Sequence, residues 1–330
     1  MSQAFRVAPA LAALAIDREV HGSFPVVVTP RHPGVSLAAS MEGRQSQLLA
    51  ELERHGAVLL RGFGVEGIDG FAAVAASFGR PLLSYDFAST PRSAIGAGVY
   101  TSTEYPPHQH IPLHNEQSYA SSWPMKIWFY CVTAAVEGGE TPIADSRLVY
   151  QRIDRGLREA FSSRKLLYVR NYGTGFDLSW QEVFGTTDRS VVDAYCAARG
   201  IERTWKNDGE LRTRQICQAV ATHPTTGELV WFNQAHLFHV SNLEADVREA
   251  LLEIGGEEGL PRNVYYGDGA PIEAAALAEI RGVLDEAKVA FPWNDGDVLM
   301  LDNMLAAHGR APYRGKRHVA VAMAEPHGAE

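Results

Sequence analysis

Apolar residues fall along this chain in short runs punctuated by proline and glycine, a pattern of strands more than of long helices. Val26-Val27-Val28-Thr29, bracketed by Pro25 and Pro30, predicts a short leading strand, followed by a polar helix over about 36–53. Ala57-Val58-Leu59-Leu60 predicts a second strand, and Phe71 to Phe78 a helix ended by Gly79. Lys126-Ile-Trp-Phe-Tyr-Cys-Val-Thr reads as a buried strand. Two late apolar runs, Val298-Leu299-Met300-Leu301 and Val319-Ala320-Val321-Ala322-Met323, predict a hairpin-like pair flanking His308 and Arg317. Between about 160 and 290 the period lengthens. Candidate helices there cover 190–199, 244–254 and 273–290, the last with Leu277, Ile280 and Leu284 on one face. The expectation is one domain over 1–330, mainly β with flanking α, in which 160–290 is an inserted helical or lid region and the final strands close a barrel.

Composition narrows the class. At 330 residues, 46% hydrophobic and 21% charged, the chain can bury a substantial core. The net charge of −9 argues against nucleic acid as a partner. No run approaches the ~20 apolar residues of a membrane span. The apolar stretch 8–16 is short, with Asp17-Arg18-Glu19 after it and no convincing cleavage site, so a cytoplasmic protein is expected. Three cysteines, Cys131, Cys196 and Cys217, are too few and too scattered for a disulfide framework or a zinc knuckle.

The candidate chemistry lies in two places. His114-Asn115-Glu116 would present two ligands on one face if extended, since strand side chains alternate. An isolated His-x-Glu is more often a chance pair on a solvated loop. The tract from Asp297 to Arg317 changes the balance, because it adds a second imidazole at His308 and four cations at Arg310, Arg314, Lys316 and Arg317. Two histidines and a carboxylate are the donor set of a mononuclear non-haem iron(II) site, which leaves positions open for a bidentate cosubstrate and dioxygen. One guanidinium could hold the far carboxylate of a dicarboxylate bidentately, the remaining cations being solvated loop charges.

Other signals carry less. Gly96-Ala97-Gly98 lacks the third glycine and helix of a dinucleotide site, and there is no P-loop, Gly-x-Ser-x-Gly or His-Glu-x-x-His. His108-Gln109-His110 lacks a carboxylate at the offset a cupin-type metal site requires. The aromatic and polar segment 231–239 reads equally as a lid or as a buried strand, and Tyr265-Tyr266-Gly267-Asp268-Gly269 as a turn.

Six stretches together resemble the taurine dioxygenase/TfdA superfamily of iron(II)/2-oxoglutarate oxygenases, and within it the clavaminate synthase-like and SyrP-like branch. They are His55-Gly-Ala-Val-Leu-Leu-Arg-Gly-Phe63, Tyr100-Thr-Ser-Thr-Glu-Tyr-Pro, Ile111-Pro-Leu-His-Asn-Glu116, Gly138-Gly-Glu-Thr-Pro142, Gly296 to Asn303, and His308-Gly-Arg-Ala-Pro-Tyr-Arg-Gly-Lys-Arg317. The resemblance implies a double-stranded β-helix (jelly roll) core, with His114, Glu116 and His308 as iron(II) ligands. It implies 2-oxoglutarate as cosubstrate, its distal carboxylate paired with Arg317 and hydrogen-bonded by Thr141, and O2 as oxidant. Taurine dioxygenase has Asp where this chain has Glu116, so the departure argues against a sulfonate substrate; the glutamate agrees with the clavaminate branch. Related halogenases lack the carboxylate, so its presence argues against halogenation, with hydroxylation favoured; the SyrP-like resemblance implies β-hydroxylation of an amino acid, free or thioester-linked to a peptidyl carrier protein. Asn115, Gln117, Arg310 and Arg314 are candidates for meeting that substrate or for orienting the metal ligands. Desaturation, cyclisation and a non-catalytic jelly-roll protein binding an anionic metabolite are the alternatives.

Overall fold

The computed structural model describes residues 14–17, 24–32, 34–84, 92–173, 175, 177–206 and 209–328. Residues 8–13 of the apolar N-terminal stretch lie outside them; Leu14–Asp17 is a strand. The organising element is the strand Ser122–Thr133, whose residues from Trp123 to Cys131 are all buried. A run this continuously buried, apolar but for Lys126, requires cover on both faces, and the fold supplies it. The strand lies within an eight-stranded sheet in the order Leu14–Asp17, Val26–Pro30, Ala57–Leu60, Val298–Asp302, Ser122–Thr133, His318–Gly328, Val99–Thr101, Ala94–Gly96.

The two late strands are therefore not a hairpin. Leu299 and Val321 both lie opposite Phe129, on its two sides, so Ser122–Thr133 separates the strands predicted to pair. The chain between them crosses to a second layer. There Ala306–Arg310 lies between Ile111–His114 and Ile143–Asp145. Phe129, Cys131, Leu299 and Val321 of the large sheet pack with Ile143 and Ala306 of the small one, beside Phe291 and Trp293. The opposite face of the large sheet buries Val58, Trp128 and Met300 against Met41, Leu48, Leu52 and Phe71 from the helices Leu37–Met41, Gln45–His55 and Gly67–Ala76. Burying a side chain such as Leu48 or Phe71 contributes about 1.5–3 kcal/mol. The single helix predicted over 36–53 is two, divided at Gly43, whose φ of 72° is costly for any residue with a Cβ. The sheets form two open layers of a mainly β fold, and among the described residues no barrel is closed.

The region 160–290 contains the predicted helices as Arg189–Ala198, Ala245–Gly255 and Ala274–Ala287. It also holds an unpredicted four-stranded sheet in the order Glu202–Trp205, Leu211–Cys217, Leu166–Tyr172, Arg262–Tyr266. Leu211–Cys217 does alternate, but it turns Thr213 and Gln215 inward, so its buried face does not read as apolar. The region's core continues onto Leu113, Tyr119 and Ala307, the neighbours of the candidate site residues. Segment 231–239 is not a single strand: Leu229–Trp231 is followed by the short buried helix Ala235–Phe238. None of the helices among the described residues is long and apolar enough to cross a membrane.

That short helix supports the strand Ile111–His114. His236 Nε2 stands 2.8 Å from the Leu113 carbonyl, and burial holds this imidazole down at about 4. The unfolded chain takes up this proton near its ordinary pKa while the folded protein refuses it. The stability His236 confers as a neutral group is thus full above about pH 6.5 and lost as pH falls toward 4, by about 3 kcal/mol at the lower limit. Denaturant titrations of the metal-free protein at pH 7 and 4.5 should show this fall, reduced in His236→Gln; an equal fall in both would refute the assignment.

Candidate active site

His114 ends its strand, and His308 is its antiparallel partner across the small sheet. Directly opposed residues project to the same side, and the two ring centroids stand 4.6 Å apart. Glu116 reaches them differently from the extended His-x-Glu arrangement expected. The strand stops at His114, a turn begins at Glu116, and Gln117 adopts a φ of 55°. The result brings one ligand atom from each of His114, Glu116 and His308 within 4.8 Å of one another.

Asn303 holds the turn. Its Oδ1 accepts from the Glu116 amide at 2.7 Å, and its Nδ2 donates to the Glu116 carbonyl at 2.9 Å and the Pro124 carbonyl at 2.8 Å. Asp302, before it, is fully buried against Lys126 Nζ at 2.7 Å and His223 Nε2 at 3.2 Å. The turn is thus tied to the strand pairing of the large sheet, and a buried ion pair of this kind is costly to break.

Electrostatics suit a metal. His114 Nδ1 lies 2.8 Å from the Pro112 carbonyl, which places the ring proton there and leaves Nε2 bare. Burial lowers the pKa of His114, against an opposing pull from Glu116, and pushes His308 well below its usual range. Both imidazoles are therefore neutral at pH 7, the form that ligates metals. His308 Nδ1 is buried with no hydrogen-bond partner, and the Phe129 ring stands 5.0 Å from the imidazole.

Arg317 and Thr141 open on the same cavity as His114 and His308. Arg317 Nε donates to the Gly139 carbonyl at 2.8 Å, and its Nη2 lies 3.5 Å from Thr141 Oγ1, which accepts from Trp293 Nε1 at 3.1 Å. Burial, and then the charge of Arg310, lower Arg317 to about 10, so it remains a cation at neutral pH. A Cβ at Gly139 would come within 3.0 Å of Arg317 Cδ, which makes this glycine part of the guanidinium's seat. A fixed cation beside two neutral imidazoles and a carboxylate fits a metal chelated by a dicarboxylate keto acid.

The other candidates do not converge there. Arg310 lines the cavity, but its Nη atoms donate to the carbonyls of Thr103, Tyr105, Pro106 and Gln109, so it organises the 103–109 loop. Asn115 is turned into the protein, donating to the Asn303 carbonyl at 2.6 Å and Ser146 Oγ at 3.0 Å. Gln117 borders a separate cavity with Ser121 and Gln215. Arg314 has a side chain 84% exposed and pairs with Glu137. Sequence reasoning missed Arg92. Its side chain is 3% exposed, it lines the cavity, and its Nη2 stands 2.5 Å from Glu116 Oε2. Pro91-Arg92-Ser93 carries no motif that could have marked it. The motif residues Arg61 and Asp297 are structural, joined by a fork of contacts at 2.7–3.2 Å.

Two facing β layers carrying this donor set define a mononuclear metal oxygenase of the jelly-roll kind. The chain belongs to the taurine catabolism dioxygenase TauD, TfdA family, whose model matches residues 23–323. It is 43% identical over 275 residues to the dapdiamide synthesis protein DdaC of Enterobacter agglomerans, covering 83% of this chain and 84% of that protein. It is 31% identical over 320 residues to a clavaminate synthase-like protein of Arabidopsis thaliana, covering 91% and 93%. The fold matches that of PvcB from Pseudomonas aeruginosa at a TM-score of 0.56 and 17% identity, over 98% of this chain and 95% of that one. PvcB is described as an Fe, alpha-ketoglutarate dependent oxygenase from an isonitrile synthetic pathway. The protein is an iron(II)/2-oxoglutarate-dependent dioxygenase, with O2 as cosubstrate.

Proposed function

We propose that this enzyme hydroxylates an unactivated carbon of an amino acid or amino-acid-derived substrate, free or carried on a peptidyl carrier protein, while 2-oxoglutarate is converted to succinate and carbon dioxide. The observation that carries the reading is the convergence of His114, Glu116 and His308 on one another, with both histidines opening on the cavity that also holds Arg317 and Thr141. In this reading the three ligands hold the iron, and Arg317 takes the distal carboxylate of the keto acid in its planar fork with Thr141 beside it. When bound, iron and 2-oxoglutarate supply the oxidising power for cleaving a C–H bond. The residues of the chain orient and protect. Trp293 fixes the Thr141 hydroxyl, Phe129 presents an apolar wall to His308, and Asn303 keeps Glu116 at its station. With Glu116 as the third protein ligand, the carboxylate would fill the place that a halide would otherwise take, which supports oxygen transfer over halogenation. The relative named for dapdiamide synthesis supports a role in small-molecule biosynthesis.

The test is a screen of free and carrier-loaded amino acids under labelled dioxygen and high chloride, followed by mass spectrometry. The expected product gains one oxygen atom in step with succinate. A chlorinated product, or loss of two hydrogens without oxygen gain, would replace hydroxylation with another reaction at the same site.

A further inference from the structure

We infer that Arg92 is a positioning residue that confines Glu116 to ligation through a single oxygen. The inference rests on the assignment of Glu116 as an iron ligand. Glu116 has two oxygens, and a carboxylate free to rotate can chelate a metal with both. Here Oε2 is engaged by Arg92 Nη2 at 2.5 Å, with the two side chains 3% and 4% exposed, so water does not compete for the contact. Oε1, which lacks that contact, would then be the oxygen that meets the metal. The backbone of Glu116 is independently fixed by Asn303, which prevents the carboxylate from escaping the guanidinium by moving the turn. Arg92 itself is held next to the hairpin of Ala94–Gly96 and Val99–Thr101, where the Ser93 amide donates to Thr101 Oγ1 at 2.9 Å and the Thr101 amide to the Ser93 carbonyl at 2.9 Å.

The consequence is coordinative. A facial site must leave room for a two-point keto-acid chelate and for dioxygen, and a second oxygen from Glu116 would take one of those positions. Groups that orient metal ligands from behind change affinity or activity by about ten- to hundredfold when removed. In this case the two ligands should respond in opposite directions. Arg92 is a cation near the metal, so its removal favours iron while disfavouring the keto acid.

The experiment measures iron(II) binding and then 2-oxoglutarate binding to the iron-loaded protein, anaerobically, for the parent, Arg92→Ala and Arg92→Lys. Calorimetry gives the iron affinity. The visible charge-transfer band of the iron–keto-acid chelate reports both the half-saturation and, through its position, the ligand set. Arg92→Ala should hold iron at least as tightly as the parent, need about ten- to hundredfold more 2-oxoglutarate, and show a displaced band. Arg92→Lys, which still donates to Oε2, should return the band to the parent position. Three outcomes would overturn the inference: variants identical to the parent, a rise in half-saturation with an unmoved band, or parallel loss of iron and keto acid as from a collapsed site. A parent protein that bound no iron would instead remove the reading on which the inference stands, and the inference with it.

Discussion

Replacing His114, Glu116 or His308 with alanine should abolish turnover, because each supplies one third of the protein's grip on the metal. The three variants should nevertheless differ before iron is added. Glu116→Ala removes the carboxylate that Arg92 meets where its side chain is 3% exposed, and removing one partner of a buried ion pair costs about 3–5 kcal/mol. The histidine variants leave no uncompensated charge, so their metal-free forms should melt closer to the parent. Iron titration and thermal unfolding of the metal-free proteins check both halves. Full iron-dependent turnover in any of the three would overturn the ligand assignment, and an equal stability loss in all three would overturn the account of the ion pair.

The second large effect falls on the cosubstrate. Arg317→Lys keeps a positive charge but loses the fork that reaches both the Gly139 carbonyl and Thr141, and with it a charge-assisted hydrogen bond to the carboxylate. The loss should be about 1.5–3 kcal/mol, seen as roughly a ten- to hundredfold higher half-saturating 2-oxoglutarate concentration. Arg314→Lys is the internal control. With its side chain 84% exposed and paired with Glu137, it should change nothing measurable. A shift in Arg314→Lys equal to or larger than that in Arg317→Lys would mean the wrong arginine was chosen.

Much of this site was legible in the sequence because its chemistry is carried by residue types with few substitutes. Two imidazoles, a carboxylate and a terminal arginine keep a recognisable spacing from Ile111 to Glu116 and from Gly296 to Arg317. The strands Ala57–Leu60 and Val298–Asp302 were legible for a related reason, since a sheet covered on both faces demands unbroken apolar runs. What escaped was pairing across long separations. The periodicity of Val298–Leu301 and Val319–Met323 does not say that Ser122–Thr133 comes between them; that follows from the intervening strand leaving for the other layer. Leu211–Cys217 escaped because Thr213 and Gln215 disguise its inner face. Arg92 escaped because an arginine acquires its role here only from the carboxylate folded against it.

The position of Ser122–Thr133 sets a schedule for the cell. Both strands that flank it, Val298–Asp302 and His318–Gly328, are made long after it. At ribosomal speeds of about 5–20 residues per second, this apolar strand spends on the order of 10–30 seconds with both edges bare before the first neighbour emerges. An unpaired apolar edge is a template for wrong pairing with another nascent chain. Yield in a recombinant host should therefore respond more to fewer chains being made at once or to added chaperones than to iron in the medium, because His308 joins His114 and Glu116 only after that exposed interval has ended.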